Sequence, residues 1–172
     1  EFILLESTRH SLKGQQEQAL KDYSKVIEIS PESAESYFNR GSFYLGIDQY
    51  DKAAADFSKV VRLDSKLTGW VYYITAEKYF QIGDYYAAIE NYSKLISLKR
   101  KELPASFDRR GLAYLEIGQY ENALDDFNKA IIRGPKIASH YYNRGVIFNK
   151  MKESDFALRD YSKAIEINPE HE

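Results

Sequence analysis

The sequence predicts an all-α fold, a solenoid of five antiparallel helix–turn–helix hairpins, and three observations carry that expectation. Ala19, Ala53, Ala88, Ala123 and Ala157 recur at intervals of 34, 35, 35 and 34 residues, and self-similarity at such a period marks stacked supersecondary units. Four residues after each alanine comes a ring (Tyr23, Phe57, Tyr92, Phe127, Tyr161), one turn further along the same helical face. Upstream lies a second constant triplet: a large residue (Ile3, Tyr37, Tyr72, Phe107, Tyr141), then a small one (Ser7, Gly41, Ala76, Gly111, Gly145), then a ring (Tyr44, Tyr79, Tyr114, Phe148) or His10. Each period therefore holds two amphipathic helices, and the small residue of the first lets the second approach closely.

In order along the chain, the repeats fall at 1–33, 34–67, 69–102, 104–137 and 138–171, with Thr68 and Leu103 as extra junction residues. The turn inside each hairpin is expected at Gly14, Asp48, Gly83, Gly118 and Lys152, because a left-handed residue ends a helix and glycine adopts that conformation at least cost. Pro31, Pro135 and Pro169 end second helices, since proline cannot donate to the helical ladder; Ser65 and Arg100 replace it in two repeats. The first and last copies depart from the others at the start of the second helix, where Gln16 and Ser154 stand in place of Tyr50, Tyr85 and Tyr120.

On these residues the chain resembles the tetratricopeptide repeat family, whose 34-residue pattern runs large apolar, small, aromatic, Gly, Tyr, Ala, aromatic, Pro. The resemblance covers essentially all of 1–172 as a single domain. It implies a right-handed superhelix in which each hairpin contacts its neighbours and first helices line the concave side. The sequence starts without Met, inside a helix, and stops right after the fifth repeat. It is therefore expected to be a fragment of a longer protein, flanked by further repeats or domains or pairing through its ends.

Composition narrows the function classes. The chain has 172 residues, 44% hydrophobic and 29% charged, enough apolar material for a sizeable core. No window approaches the roughly 18 consecutive apolar residues of a membrane span. The net charge of −2 argues against a helical-repeat reader of nucleic acid, which needs a basic groove. Absence of cysteine excludes disulfides and thiolate metal sites and favours a reducing compartment such as the cytoplasm, while leaving location open. His10, His140 and His171 share no metal-ligand spacing, and no phosphate-binding glycine loop or nucleophile elbow occurs. Neither an enzyme nor a cofactor is expected. Asn91-Tyr92-Ser93 matches a glycosylation acceptor but falls in a helix with Tyr92 facing the core.

Two sets of residues stand out. Arg40, Arg110 and Arg144 each precede the small residue of a first helix, and Asp56, Asp126 and Asp160 stand at the matching place of the second helices. The repeat with Thr75 in place of arginine has Asn91 in place of the acid. Charge and countercharge vanish together, which points to an ion pair within each hairpin; Arg40 is also within sequence reach of Asp22 across the repeat boundary. The second set lies on the face of the first helices turned away from the core. It holds Phe38 and Leu45, then Trp70, Tyr73 and Phe80, then Leu112 and Leu115, then Tyr142 and Val146, beside Asn39, Glu77, Asp108, Arg109 and Asn143.

An aromatic face with scattered polar groups has the composition of a binding surface. The expected partner-binding residues are Phe38, Asn39, Trp70, Tyr73, Glu77, Phe80, Asp108, Arg109, Leu112, Tyr142 and Asn143. The family resemblance raises a carboxylate clamp that holds acidic chaperone tails, but of its matching positions only Asn39 or Arg109 carries a fitting residue. The expectation is a protein-interaction module holding a peptide or protein segment in an aromatic-lined concave groove, with a self-assembling scaffold as the alternative.

Overall fold

A computed structural model describes residues 2–99 and 106–169, with side chains from Lys13 onward. Among the described residues there are nine α-helices and no strand: α1 (Phe2–Ile29), α2 (Ala34–Gly46), α3 (Tyr50–Leu63), α4 (Thr68–Gln81), α5 (Tyr85–Ser97), α6 (Ser106–Glu116), α7 (Tyr120–Arg133), α8 (Ala138–Lys150) and α9 (Ser154–Ile167). A single 3₁₀ turn, Ser65–Leu67, precedes α4. The chain forms two compact units, Glu1–Val71 and Tyr72–Glu172. The first holds the hairpin α2–α3 behind α1; the second holds the hairpins α6–α7 and α8–α9, preceded by α5 and most of α4.

The turn expected at Gly14 is absent. The first repeat, expected as a hairpin over 1–33, is one continuous helix of 28 residues with Gly14 inside it. Glycine in a helix interior costs only about 1 kcal/mol. Its neighbours Lys13, Gln15, Gln16, Glu17 and Gln18 are all good helix formers. Leu103, Arg100 and His171 lie outside the described residues, as do the side chains of Ile3, Ser7 and His10.

The other four turns form as expected, and they are copies of one another. The left-handed residues are Asp48 (φ 61°), Gly83 (φ 80°), Gly118 (φ 73°) and Lys152 (φ 65°). The amide that follows each returns to a carbonyl five residues back: Gln49 to Tyr44, Asp84 to Tyr79, Gln119 to Tyr114 and Glu153 to Phe148, each at 2.9 Å. This is the six-to-one bond of a Schellman cap, which satisfies carbonyls that helix ends leave open. Asp84 then caps α5, its carboxylate accepting from the Ala87 amide at 3.1 Å.

Hairpins close by setting a ring on a small residue. A Cβ added to Gly41 would stand 2.7 Å from Phe57, one on Gly111 2.9 Å from Phe127, and one on Gly145 2.8 Å from Tyr161. In the α4–α5 pair, Ala76, Ala88 and Tyr92 are fully buried together, with Tyr73, Tyr79 and Phe80 packed around them. In the second unit, Ala123, Phe127 and Ile147 form an equivalent core that also seats Leu112, Leu115 and Leu124.

Candidate partner-binding face

The arginine ladder belongs to the scaffold. Arg40 donates from Nε and Nη2 to both oxygens of Asp56 at 2.8 Å, Arg110 does the same to Asp126 at 2.7 Å, and Arg144 to Asp160 at 2.6 and 2.7 Å. Such parallel forks are the strong geometry for a guanidinium and a carboxylate. Each guanidinium also sits between two rings of its own helix, Arg110 at 5.8 Å from the Phe107 centroid and 5.6 Å from that of Tyr114. Their remaining Nη1 groups reach back to the preceding helix, donating to Ser24, Ser93 and Asn128 at 3.1, 2.8 and 2.6 Å. Arg40 thus crosses the repeat boundary to Ser24, not to Asp22. Ser24, Ser58, Ser93, Asn128 and Ser162 directly follow the core ring in all five repeats, a periodic signal that the sequence already contained.

The expected face residues divide by burial. In the first unit, Leu45 is buried and belongs to the core, Phe38 packs on Phe57 with centroids 6.2 Å apart, Asn39 is exposed, and Trp70 is 41% exposed. In the second unit, Tyr73 and Phe80 pack on the Ala76–Ala88–Tyr92 core, and Leu112 and Leu115 pack on the Ala123–Phe127–Ile147 core. Tyr142 lies against Tyr161 yet remains 50% exposed, and Asn143 is half-buried. Six of the nine aromatic and apolar residues of the predicted stripe therefore support hairpins, while Trp70 and Tyr142 keep a large open surface.

Polar members of the second unit converge on one node. The hydroxyl of Tyr92, a fully buried ring, donates to Glu77 Oε1 at 2.6 Å. Burial, followed by this bond to an anion, holds the phenol un-ionised well above its ordinary range. Arg109 Nε stands 3.5 Å from the same Glu77 oxygen, and its side chain is 43% exposed. Asp108 lies alongside, with Oδ1 buried and no hydrogen-bond partner. Burial raises the Asp108 carboxyl above the usual carboxylate range, and backbone amides, His140 and Arg109 only partly offset it. From α8, His140 turns Nε2 toward Asp108 Oδ2 at 4.0 Å, too long for a hydrogen bond. His140 is 3% exposed, and its Nδ1 also lacks a partner. Sequence spacing placed Glu77, Asp108 and Arg109 on the face but missed His140, because only packing of α8 beside α6 brings it to Asp108. Asn91 donates to its own helix at Ala87 O, 2.9 Å away, which accounts for it structurally.

Among the described residues no group of acids or histidines could hold a metal ion, and no helix is long and apolar enough to cross a membrane. What fold and face define together is an array of helical hairpins presenting side chains from its first helices. Tetratricopeptide repeat models match residues 34–67, 71–102, 105–131 and 138–171, and a TPR repeat model matches 12–48. The chain belongs to the tetratricopeptide repeat family, whose repeats build protein-interaction modules.

Among curated relatives, the human mitochondrial import receptor subunit TOM70 is 27% identical over 173 residues, covering 93% of this chain and 28% of that protein. The Hsp70-Hsp90 organizing protein of Triticum aestivum is 27% identical over 188 residues, covering 89% and 32%. A tetratricopeptide repeat protein 36 homolog of Nematostella vectensis is 38% identical over 65 residues, covering 38% and 36%. The chain spans little more than a third of the length of these relatives at most. Among solved structures, MamA superposes with a TM-score of 0.72 at 26% identity, covering 94% of this chain and 93% of its own. YrrB, described as a TPR protein with an unusual peptide-binding site, does so at 0.70 and 24%, covering 94% and 82%, a likeness of fold.

Proposed function

We propose that this chain is a protein-interaction module that holds a segment of a partner protein against the first-helix face of its hairpins. The observation that carries the reading is the division of labour among its rings. Phe57, Tyr92 and Phe127 fill the hairpins, yet each unit leaves a first-helix ring open: Trp70, 41% exposed, in the first, where Asn39 is also exposed, and Tyr142, 50% exposed, in the second, where the Arg109 side chain is 43% exposed. Large amphipathic rings next to hydrogen-bonding groups are the usual anchors of a protein interface. Two relatives are named for handling other proteins, an import receptor subunit and an organizer of Hsp70 and Hsp90, which agrees with that role. The test compares capture of proteins from an extract of the native cell by the wild-type chain and by a Trp70→Ala, Tyr142→Ala variant of unchanged helical content. Partners held by wild type and lost by the variant are the expected result; equal recovery places the binding surface elsewhere.

A second reading, self-assembly through the last hairpin, rests on α9. Leu158 and Ile165 are 63% and 59% exposed, whereas Leu124 and Ile131, the equivalent residues of α7, are half-buried, and Leu124 packs on the core that includes Ile147 of α8. Light scattering should then show a mass that rises with concentration for the wild type and stays monomeric for Leu158→Lys, Ile165→Lys. A constant wild-type mass removes this reading.

A further inference from the structure

We propose that Asp108, backed by Glu77 and Tyr73, seats a basic side chain, lysine or arginine, of the bound segment. This rests on the interaction-module reading and adds the chemistry that the node selects. The node carries two carboxylates against one guanidinium, and Arg109 lies nearest to Glu77, at 3.5 Å. Glu77 Oε1 already accepts from Tyr92. Asp108 is different: its side chain is 28% exposed, so it opens to solvent, while Oδ1 is buried without a donor.

A second unmet group lies behind it. His140 is 3% exposed, points Nε2 at Asp108 from 4.0 Å, and has no hydrogen-bond partner at Nδ1. Native folds leave few buried polar atoms unpaired, because each costs about 1–3 kcal/mol. Asp108 meets solvent over 28% of its side chain beside a second carboxylate, which is complementary to a cationic side chain, and an anionic tail would meet repulsion there. Tyr73 is close enough for its phenol to be raised by burial first and then by Glu77 and Asp108; its ring adds an aromatic wall of the kind that favours cations. The arrangement is the reverse of a site for acidic chaperone tails, and it selects among partners by sign of charge.

The test uses the whole 172-residue chain and a probe that contains only the proposed group. Ethylguanidinium chloride is titrated into ¹⁵N-labelled protein, with the neutral isostere N-ethylurea as comparison. The expected result is saturable shifts at the amides of Tyr73, Glu77, Asp108 and Arg109 with the cation and none with the urea. In Asp108→Asn, binding should weaken roughly tenfold. Binding should also weaken on acidification, as Asp108 protonates. The other ionisable groups of the node are Glu77 and Tyr73 from α4, Tyr92 from α5, Arg109 from α6 and His140 from α8. Equal shifts with both probes, unchanged affinity in Asp108→Asn, or no shifts in the wild type would each overturn the assignment. The comparison of the two probes on wild type stands even if the variant does not fold. Failure here leaves the Trp70 and Tyr142 capture result untouched, so the cation seat and the module are judged separately.

Discussion

Arg110→Ala is expected to destabilise the chain by about 3–5 kcal/mol, the usual cost of stranding a buried charge. Asp126 is 0% exposed and takes two hydrogen bonds from Arg110 at 2.7 Å. Without that fork its carboxylate would face the Phe127 core with its principal donor gone, and Ser93 would lose its link from the next hairpin. Burial lowers the proton affinity of Arg110, but the bond and charge of Asp126 outweigh it, so the guanidinium stays charged. For Asp126, burial raises the pKa and Arg110 opposes it. The sign of the pH effect follows. A carboxyl that holds its proton more tightly when folded favours the folded state as pH falls through its raised pKa. The deficit of Arg110→Ala, largest near neutral pH, should therefore shrink at acidic pH. Urea unfolding at both conditions measures this, and a loss under about 1 kcal/mol at neutral pH would mean that the pair behaves as a solvated surface bridge.

Gly111→Val should cost about 3 kcal/mol through overpacking. A Cβ at Gly111 meets Phe127 at 2.9 and 3.1 Å, and Phe127 is 0% exposed and confined by Ala123 and Ile147, so the ring has nowhere to move. Gly111→Ala is the informative control. It gains about 1 kcal/mol of helix propensity, but its Cβ would stand 2.9 Å from the confined Phe127 ring, so something must shift and the variant should lie below wild type and above the valine. The neighbouring repeat shows that alanine can be accommodated, since Ala76 occupies the same place beside Tyr92, both fully buried. Thermal unfolding of both variants checks this; a valine as stable as wild type would show that α6 and α7 are not closed by this contact.

Much of the molecule was legible from the sequence because repetition averages away local ambiguity. A lone alanine or glycine says little, but five co-registered copies locate the small-against-ring contact, and the structure puts Gly41, Gly111 and Gly145 under Phe57, Phe127 and Tyr161. Paired loss of Arg and Asp in one repeat likewise revealed the ion pairs. The expectation failed at Gly14 because a single glycine among helix formers does not force a turn; Asp48 and Lys152 do adopt the left-handed conformation because flanking packing and the six-to-one bond hold them there.

The face itself was legible only in part. Period and residue type placed Trp70, Tyr142, Glu77, Asp108 and Arg109 on the first helices, but helical position cannot tell a ring that supports a hairpin from one that is left open. Leu45 and Leu112 went to the core and Trp70 did not, because exposure depends on how much volume the neighbouring helix fills. Helix content and the closure of the hairpins after the first repeat were thus determined by the sequence, since they depend on contacts between residues at fixed spacing. Which side chains stay available, and the meeting of Asp108 with His140 across two helices, were decided only by tertiary packing, because separate hairpins share no sequence period that specifies the distance between their side chains.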